Sequence, residues 1–333
     1  MLRAAEAAVS DPAPANCIAD GEATAAVGMS VPGPGAERNR NRAVLVSRET
    51  QTRPQPEKRG QAEAIRLPVA ANMAMVAAVS MARARRIVFA NQKGGVGKTT
   101  TAVNLGAALA VAGKRVLLVD FDPQANSSTS LGCDGEQGGS YELITGVLPP
   151  EELIQHTAVP GYEVVPSSIN LAGAAVELVN QSRREFYLSD ALNDLDTAYD
   201  YLFIDCPPSL GLLTINGLTA ASQVIIPLQC EYFALEGLSE LLKTIRRVQG
   251  TLNPALTVGG ILFTMFDVRT RLSQEVVREV TEFFRHQVFR TIIPRNVRLG
   301  EAPSYSQPIQ LYDPKCIGAR SYNALAREVA QHG

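Results

Sequence analysis

From Arg85 onward, short unbroken apolar runs alternate with stretches in which apolar residues recur every three to four positions. The runs at 87–91, 116–121, 163–166, 201–205, 223–227, 258–264 and 291–293 are short, continuous and β-branched. That pattern predicts strands buried on both faces. The intervening period predicts helices over 100–112, 171–179, 212–220, 235–249, 273–284 and 318–331. The alternation predicts an α/β fold: a mainly parallel twisted sheet with helices on both faces, whose ligands lie at the carboxyl ends of the strands.

Residues 1–83 carry no such period. Runs such as Val31-Pro32-Gly33-Pro34-Gly35 and Thr52-Arg53-Pro54-Gln55-Pro56 break helix and strand alike. The expectation is a disordered Ala/Pro/Gly-rich extension over 1–83, with a transient helix at 67–79, followed by one domain over 84–333. Two readings of the extension stand open. It is a linker-like tail, or translation starts at Met81, with Met73 and Met75 serving the same idea. An organelle transit peptide is the weaker reading, because Glu22, Glu37 and Glu49 are scattered through the segment.

Composition adds a few limits. Of 333 residues, 46% are hydrophobic, enough for a substantial core. The net charge of −2 means that any nucleic-acid contact must come from a local cluster of arginines. Cys17, Cys133, Cys206, Cys230 and Cys316 lack the close spacing of a zinc or redox site, and a reducing cytoplasm is expected. No apolar run approaches the ~20 residues of a membrane span, and the N-terminus lacks a secretory pattern.

The strongest chemical signal is Gln92-Lys93-Gly94-Gly95-Val96-Gly97-Lys98-Thr99-Thr100, between a predicted strand and a predicted helix. This is the context of a phosphate-binding loop. Backbone N–H groups of Gly94, Gly95, Val96 and Gly97 can turn onto phosphate oxygens, helped by the helix N-terminus. Lys98 is placed for the β- and γ-phosphates of ATP, Thr99 for Mg²⁺, and Thr100 for a further phosphate contact. The loop departs from the plain pattern, since Gln92 stands where its first glycine is expected and an extra lysine, Lys93, follows.

Two further strands end in carboxylates. Val116-Leu117-Leu118-Val119-Asp120-Phe121-Asp122-Pro123-Gln124 puts Asp120 and Asp122 two residues apart, on one face while the strand persists. Tyr201-Leu202-Phe203-Ile204-Asp205-Cys206-Pro207-Pro208 fits a Walker B strand, with Asp205 holding Mg²⁺ through a water.

Lys93-Gly94-Gly95-Val96-Gly97-Lys98-Thr99 resembles the deviant Walker A motif of the ParA/MinD family, and Asp120-Phe121-Asp122-Pro123-Gln124 resembles that family's D-x-D-P-Q motif. The segments Phe263–Arg271 and Ile293–Ser304 are similar to those of small chromosomal ParA (Soj-type) proteins. The likeness runs over 85–331. It implies a P-loop ATPase of the deviant Walker A type. Lys93 would reach the nucleotide of a partner subunit, Asp122 would orient the attacking water, and Asp120 would support the Mg²⁺ shell. Met265, Pro294 and Arg295 would pack around adenine. Arg271 and Arg298, and more weakly Arg269 and Arg320, would contact DNA phosphates without reading sequence. The implied partners are a second copy of the chain when ATP is bound, nucleoid DNA and a ParB-like activator.

A MinD-like membrane ATPase positioning the division site, and a ParA-like positioner of a non-DNA cargo, are the alternatives. The former needs an amphipathic, lysine-bearing terminal helix; residues 319–333 are Ala-rich and weakly basic. A metal-cluster scaffold would need paired cysteines that the spacing does not supply. Nothing in 1–83 resembles a helix-turn-helix.

Overall fold

The computed structural model describes residues 83–331. The expectations for the extension, its apolar patch and Met81 lie outside them. In chain order the elements are β1 (Arg85–Phe89), α1 (Lys98–Val111), β2 (Val116–Asp120), α2 (Asn126–Ser130), α3 (Ser140–Thr145), α4 (Pro150–Leu153), β3 (Gln155–His156), β4 (Tyr162–Val165), α5 (Leu171–Glu177), α6 (Tyr187–Ala191) and β5 (Tyr201–Asp205). These lead on to α7 (Leu212–Ala220), β6 (Gln223–Gln229), α8 (Ala234–Thr251), β7 (Thr257–Thr264), α9 (Arg271–Phe283), α10 (Val297–Glu301), α11 (Ile309–Tyr312) and α12 (Ile317–Gln331).

The strands form one seven-stranded sheet in the order β3-β4-β2-β5-β1-β6-β7. Every pairing is parallel except β3 with β4. Alternate side chains feed two cores. Val88, Leu117, Val119, Leu202 and Ile204 pack with Leu218 of α7 and Leu238, Leu241 and Ile245 of α8. Ile87, Phe89, Val116, Leu118 and Phe203 pack with Leu105 and Leu109 of α1 and Tyr322 and Leu325 of α12. A strand buried on both faces must be apolar at every position, which is why the sequence shows unbroken runs. Helix α1 is correspondingly buried nearly all round, between the sheet and α12.

Register decides where the chemistry meets. Asp205 lies opposite Asp120 on one side and opposite Phe89 on the other. The ends of β2, β5 and β1 therefore coincide, and the phosphate loop leaves β1 at that edge.

The expected strand at 291–293 is a correction. This stretch runs along β7 with single hydrogen bonds, Ile293 N–H to the Phe263 carbonyl (2.9 Å) and Phe266 N–H to the Ile293 carbonyl (3.1 Å). Ladder formation is cut short because the N–H groups of Arg290 and Thr291 go to the Glu328 carboxylate at 2.7 and 3.0 Å, while Pro294 has none to give. Helix α2 and the antiparallel edge strand β3 are too short and polar to show a period.

Candidate functional site

The phosphate loop is shaped by two left-handed glycines, Gly95 at φ 72° and Gly97 at φ 87°. A side chain at either would be strained. Gly97 precedes the first turn of α1. The loop is tied to the sheet from two sides. Asn91, standing just before the expected first glycine, donates from Nδ2 to the Pro227 carbonyl of β6 (2.7 Å) and accepts from the Lys93 N–H (3.0 Å). Thr264 at the end of β7 donates to the Val96 carbonyl at 2.8 Å. Neither anchor was marked by the sequence, where each is one more polar residue at a strand end.

Lys98 is buried, and its Nζ lies 3.4 Å from the Lys93 carbonyl oxygen. Burial lowers its pKa, while Asp205 and Asp122 favour its charged form. Lys93 behaves oppositely: it is half-exposed and paired with Glu231 in the loop after β6. One lysine thus sits inside the loop and the other is turned outward.

Around Lys98 the carboxylates have different partners. Asp205 is buried, and its Oδ2 accepts hydrogen bonds from Thr99 Oγ1 and Ser127 Oγ, each at 2.7 Å. Its Oδ1 is also buried and has no protein partner. Burial pushes this carboxyl up to about 6, against the lowering effect of both hydroxyls and Lys98. Asp120 is fully buried; its Oδ2 accepts from the Ser128 N–H (2.8 Å) and Oγ (2.6 Å), and its Oδ1 from the Asp122 N–H (3.3 Å). Burial, then the nearby Asp205, push it up to about 7. Asp122 caps its own turn by accepting from the Gln124 N–H at 3.0 Å, and its side chain lines the cleft.

The cleft encloses about 700 Å³. Gly95, Gly97, Lys98, Thr99, Thr100 and Asp122 form one end, and Met265, Pro294 and Arg295 lie along the wall supplied by the β7 exit and the 293–303 segment. Met265 adopts φ 50°, uncommon for a side-chain-bearing residue, as the chain leaves β7. The volume and the mixed lining suit a nucleotide. A hard divalent cation also fits this donor set: an orphaned buried carboxylate oxygen and a threonine hydroxyl beside it are oxygen donors of the type Mg²⁺ takes. Asp120, with its oxygens directed to α2 and the Asp122 N–H, can support that set only through neighbours.

The four candidate DNA-contacting arginines differ in their own pairings. Arg269 is held by Asp267 through two hydrogen bonds of 2.9 and 2.7 Å. Arg298 pairs with Glu301 (2.7 Å) and lies 3.6 Å from Asp313. Arg271, at the start of α9, and Arg320, in α12, are exposed, and their side chains pair with nothing among the described residues.

A family model described as an AAA domain matches residues 84–258. The chain is 57% identical over 246 residues to the chromosome-partitioning ATPase Soj of Treponema pallidum, covering 74% of this chain and 96% of that protein. It is 56% identical over 247 residues to the chromosome partitioning protein ParA of Myxococcus xanthus, covering 74% and 87%. Among solved structures, cobyrinic acid a,c-diamide synthase from Mycobacterium smegmatis, with bound ATP analogue and magnesium, is 40% identical with a TM-score of 0.66, covering 75% and 95%.

Proposed function

Because the chain belongs to the Soj/ParA family of chromosome-partitioning ATPases, we propose that it binds and hydrolyses ATP with Mg²⁺ and uses the ATP-bound state, a dimer, to hold DNA. The observation that carries this reading is the pair of lysines on one loop: Lys98 buried against Asp205 and Asp122, Lys93 facing outward.

Loop N–H groups and Lys98 bind the phosphates, while Met265, Pro294 and Arg295 flank the base. Thr99 and Asp205 hold Mg²⁺, which when bound offsets phosphate charge. Asp122, at the cleft wall, positions the attacking water in line with the terminal phosphate. Lys93 pairs with Glu231 and is not among the residues lining the cleft, which leaves it free to serve a nucleotide other than its own. Exchanging Glu231 for the phosphates of a second subunit would place its charge across a dimer interface. Dimerisation doubles the arginines offered to DNA, so weak phosphate contacts add up only in the ATP state. A ParB-like activator would then speed hydrolysis and release the DNA.

The MinD-type membrane reading is disfavoured by α12. Its apolar residues Ala319, Tyr322, Leu325 and Val329 are buried in the core shared with α1, leaving none of that face for a lipid surface. No described helix is long and apolar enough to cross a membrane.

The test is binding of the full chain to random-sequence duplex DNA with ATP, ADP or no nucleotide, across a salt series. The expected outcome is ATP-dependent binding that collapses as salt rises. Binding that ignores nucleotide, or no binding in any state, rejects the DNA part of the proposal.

A further inference from the structure

Two consecutive serines of α2 each reach one of the two buried strand-end carboxylates. Ser128 donates from Oγ to Asp120, and Ser127 donates from Oγ to Asp205 Oδ2 at 2.7 Å. Neither serine is accessible to solvent. We propose that Ser127 is a positioning residue for the metal-side carboxylate, setting the rotamer in which Asp205 offers its free oxygen; this rests on the Mg²⁺–ATP reading above.

Asp205 Oδ2 takes two hydroxyl donors at equal distance, Thr99 from α1 and Ser127 from α2. With both donors on one oxygen, the other, Oδ1, is left buried and without a protein partner. A carboxylate turns about its last bond unless its oxygens are held. Thr99 is a poor sole anchor, because its hydroxyl is itself one of the two oxygens suited to the cation. Ser127 has no such second duty. Its helix is fastened independently, through the Ser128 N–H and Oγ to Asp120, and Ser128 Oγ in turn accepts from the Ser167 N–H at 3.0 Å. The hold on Asp205 therefore comes from the segment that follows Asp122. Asp122, which would orient water, thus lies five positions before Ser127, whose hydroxyl holds Asp205, the group that would hold the metal.

A bland alternative is that Ser127 only satisfies a buried carboxylate and serves the fold. The two are separable. Partners outside the ligand shell change metal affinity, typically ~10–100-fold, when removed. A fold-only residue changes every binding step together.

The experiment uses the full chain as wild type, Ser127→Ala and Ser127→Thr. Mn²⁺ binding is followed by the electron paramagnetic resonance of the free ion, in the presence of a non-hydrolysable ATP analogue. Metal-independent binding of ADP is measured in parallel in EDTA. Ser127→Ala should weaken Mn²⁺ binding about tenfold, the low end of that range because the phosphates share the ion. Binding of ADP in EDTA should be unchanged, and Ser127→Thr, which keeps the hydroxyl, should restore Mn²⁺ affinity. Unchanged Mn²⁺ affinity in Ser127→Ala overturns the assignment. So does an equal loss of Mn²⁺ and EDTA–ADP binding, which would make Ser127 a residue of the fold. If the wild type binds no nucleotide, the failure belongs to the functional reading and is recognised as such before any variant is compared.

Discussion

Asp120 and Asp205 hold their protons unusually well because burial removes water from their charged forms. Their carboxyls are raised to about 7 and about 6, from an ordinary value near 3.8. Between these values and the unfolded one, the folded chain binds more protons than the unfolded chain. Stability therefore falls as pH rises from about 4 to about 7, by an amount on the order of a few kcal/mol. In EDTA, the melting temperature should drop over that window, and Asp120→Asn should flatten the slope. An unchanged slope in calorimetry would remove Asp120 from the account. Asp122 tests the chemistry directly. It lines the cleft, and among the described residues its carboxylate accepts only from the Gln124 N–H, so Asp122→Ala should leave ATP binding intact. Phosphate release should fall by about 10²-fold or more if the residue positions the water. Equal turnover in both proteins would sink that role.

Helix α1 shows how packing at one element supports the site. Gly106 faces Tyr162 of β4, and a Cβ built there would lie 2.5 Å from the ring. The Tyr162 hydroxyl donates to the Ala102 carbonyl at 3.2 Å, so the ring cannot swing away freely. Gly106→Ala gains about 1 kcal/mol in helix propensity but overpacks the core at a cost of about 1–3 kcal/mol. Denaturant melts should show a net loss, with a secondary weakening of nucleotide binding because α1 carries Lys98 and Thr99. A more stable variant would mean that β4 yields. Sequence periodicity located α1, α7, α8, α9 and α12 to within a few residues because each is long and has a face to bury. Helix α2 left no such trace. Its five residues, Asn126 to Ser130, are all polar, and its place is set by hydrogen bonds to Asp120 and Asp205, residues far off in the chain or across a turn.

Across the whole molecule, a net charge of −2 has to be reconciled with DNA binding, and only local geometry can do so. Arg269 is already neutralised by a bidentate partner, Asp267, whereas Arg271 has no partner among the described residues. Arg271→Glu should weaken ATP-dependent DNA binding several-fold and shallow its salt dependence, leaving dimerisation intact; Arg269→Glu should do less. Binding isotherms at two salt concentrations, with light scattering for the dimer, check both halves. If DNA binding and dimerisation fail together, Arg271 serves the fold. Six of the seven expected strands and the longer helices, and the positions of the phosphate loop with its two lysines and of the three aspartates at strand ends, were legible in the chain; the strand expected at 291–293 was not one, and β3 and α2 left no signal. Each legible feature is carried by local pattern: unbroken apolar runs, helical spacing, glycines before a lysine. Contacts between distant segments were not legible. Asn91 to Pro227, Thr264 to Val96, Lys93 to Glu231 and Ser127 to Asp205 join residues 78 to 168 positions apart. Their partners are chosen by the strand order and register of the sheet, which no short window of residues encodes.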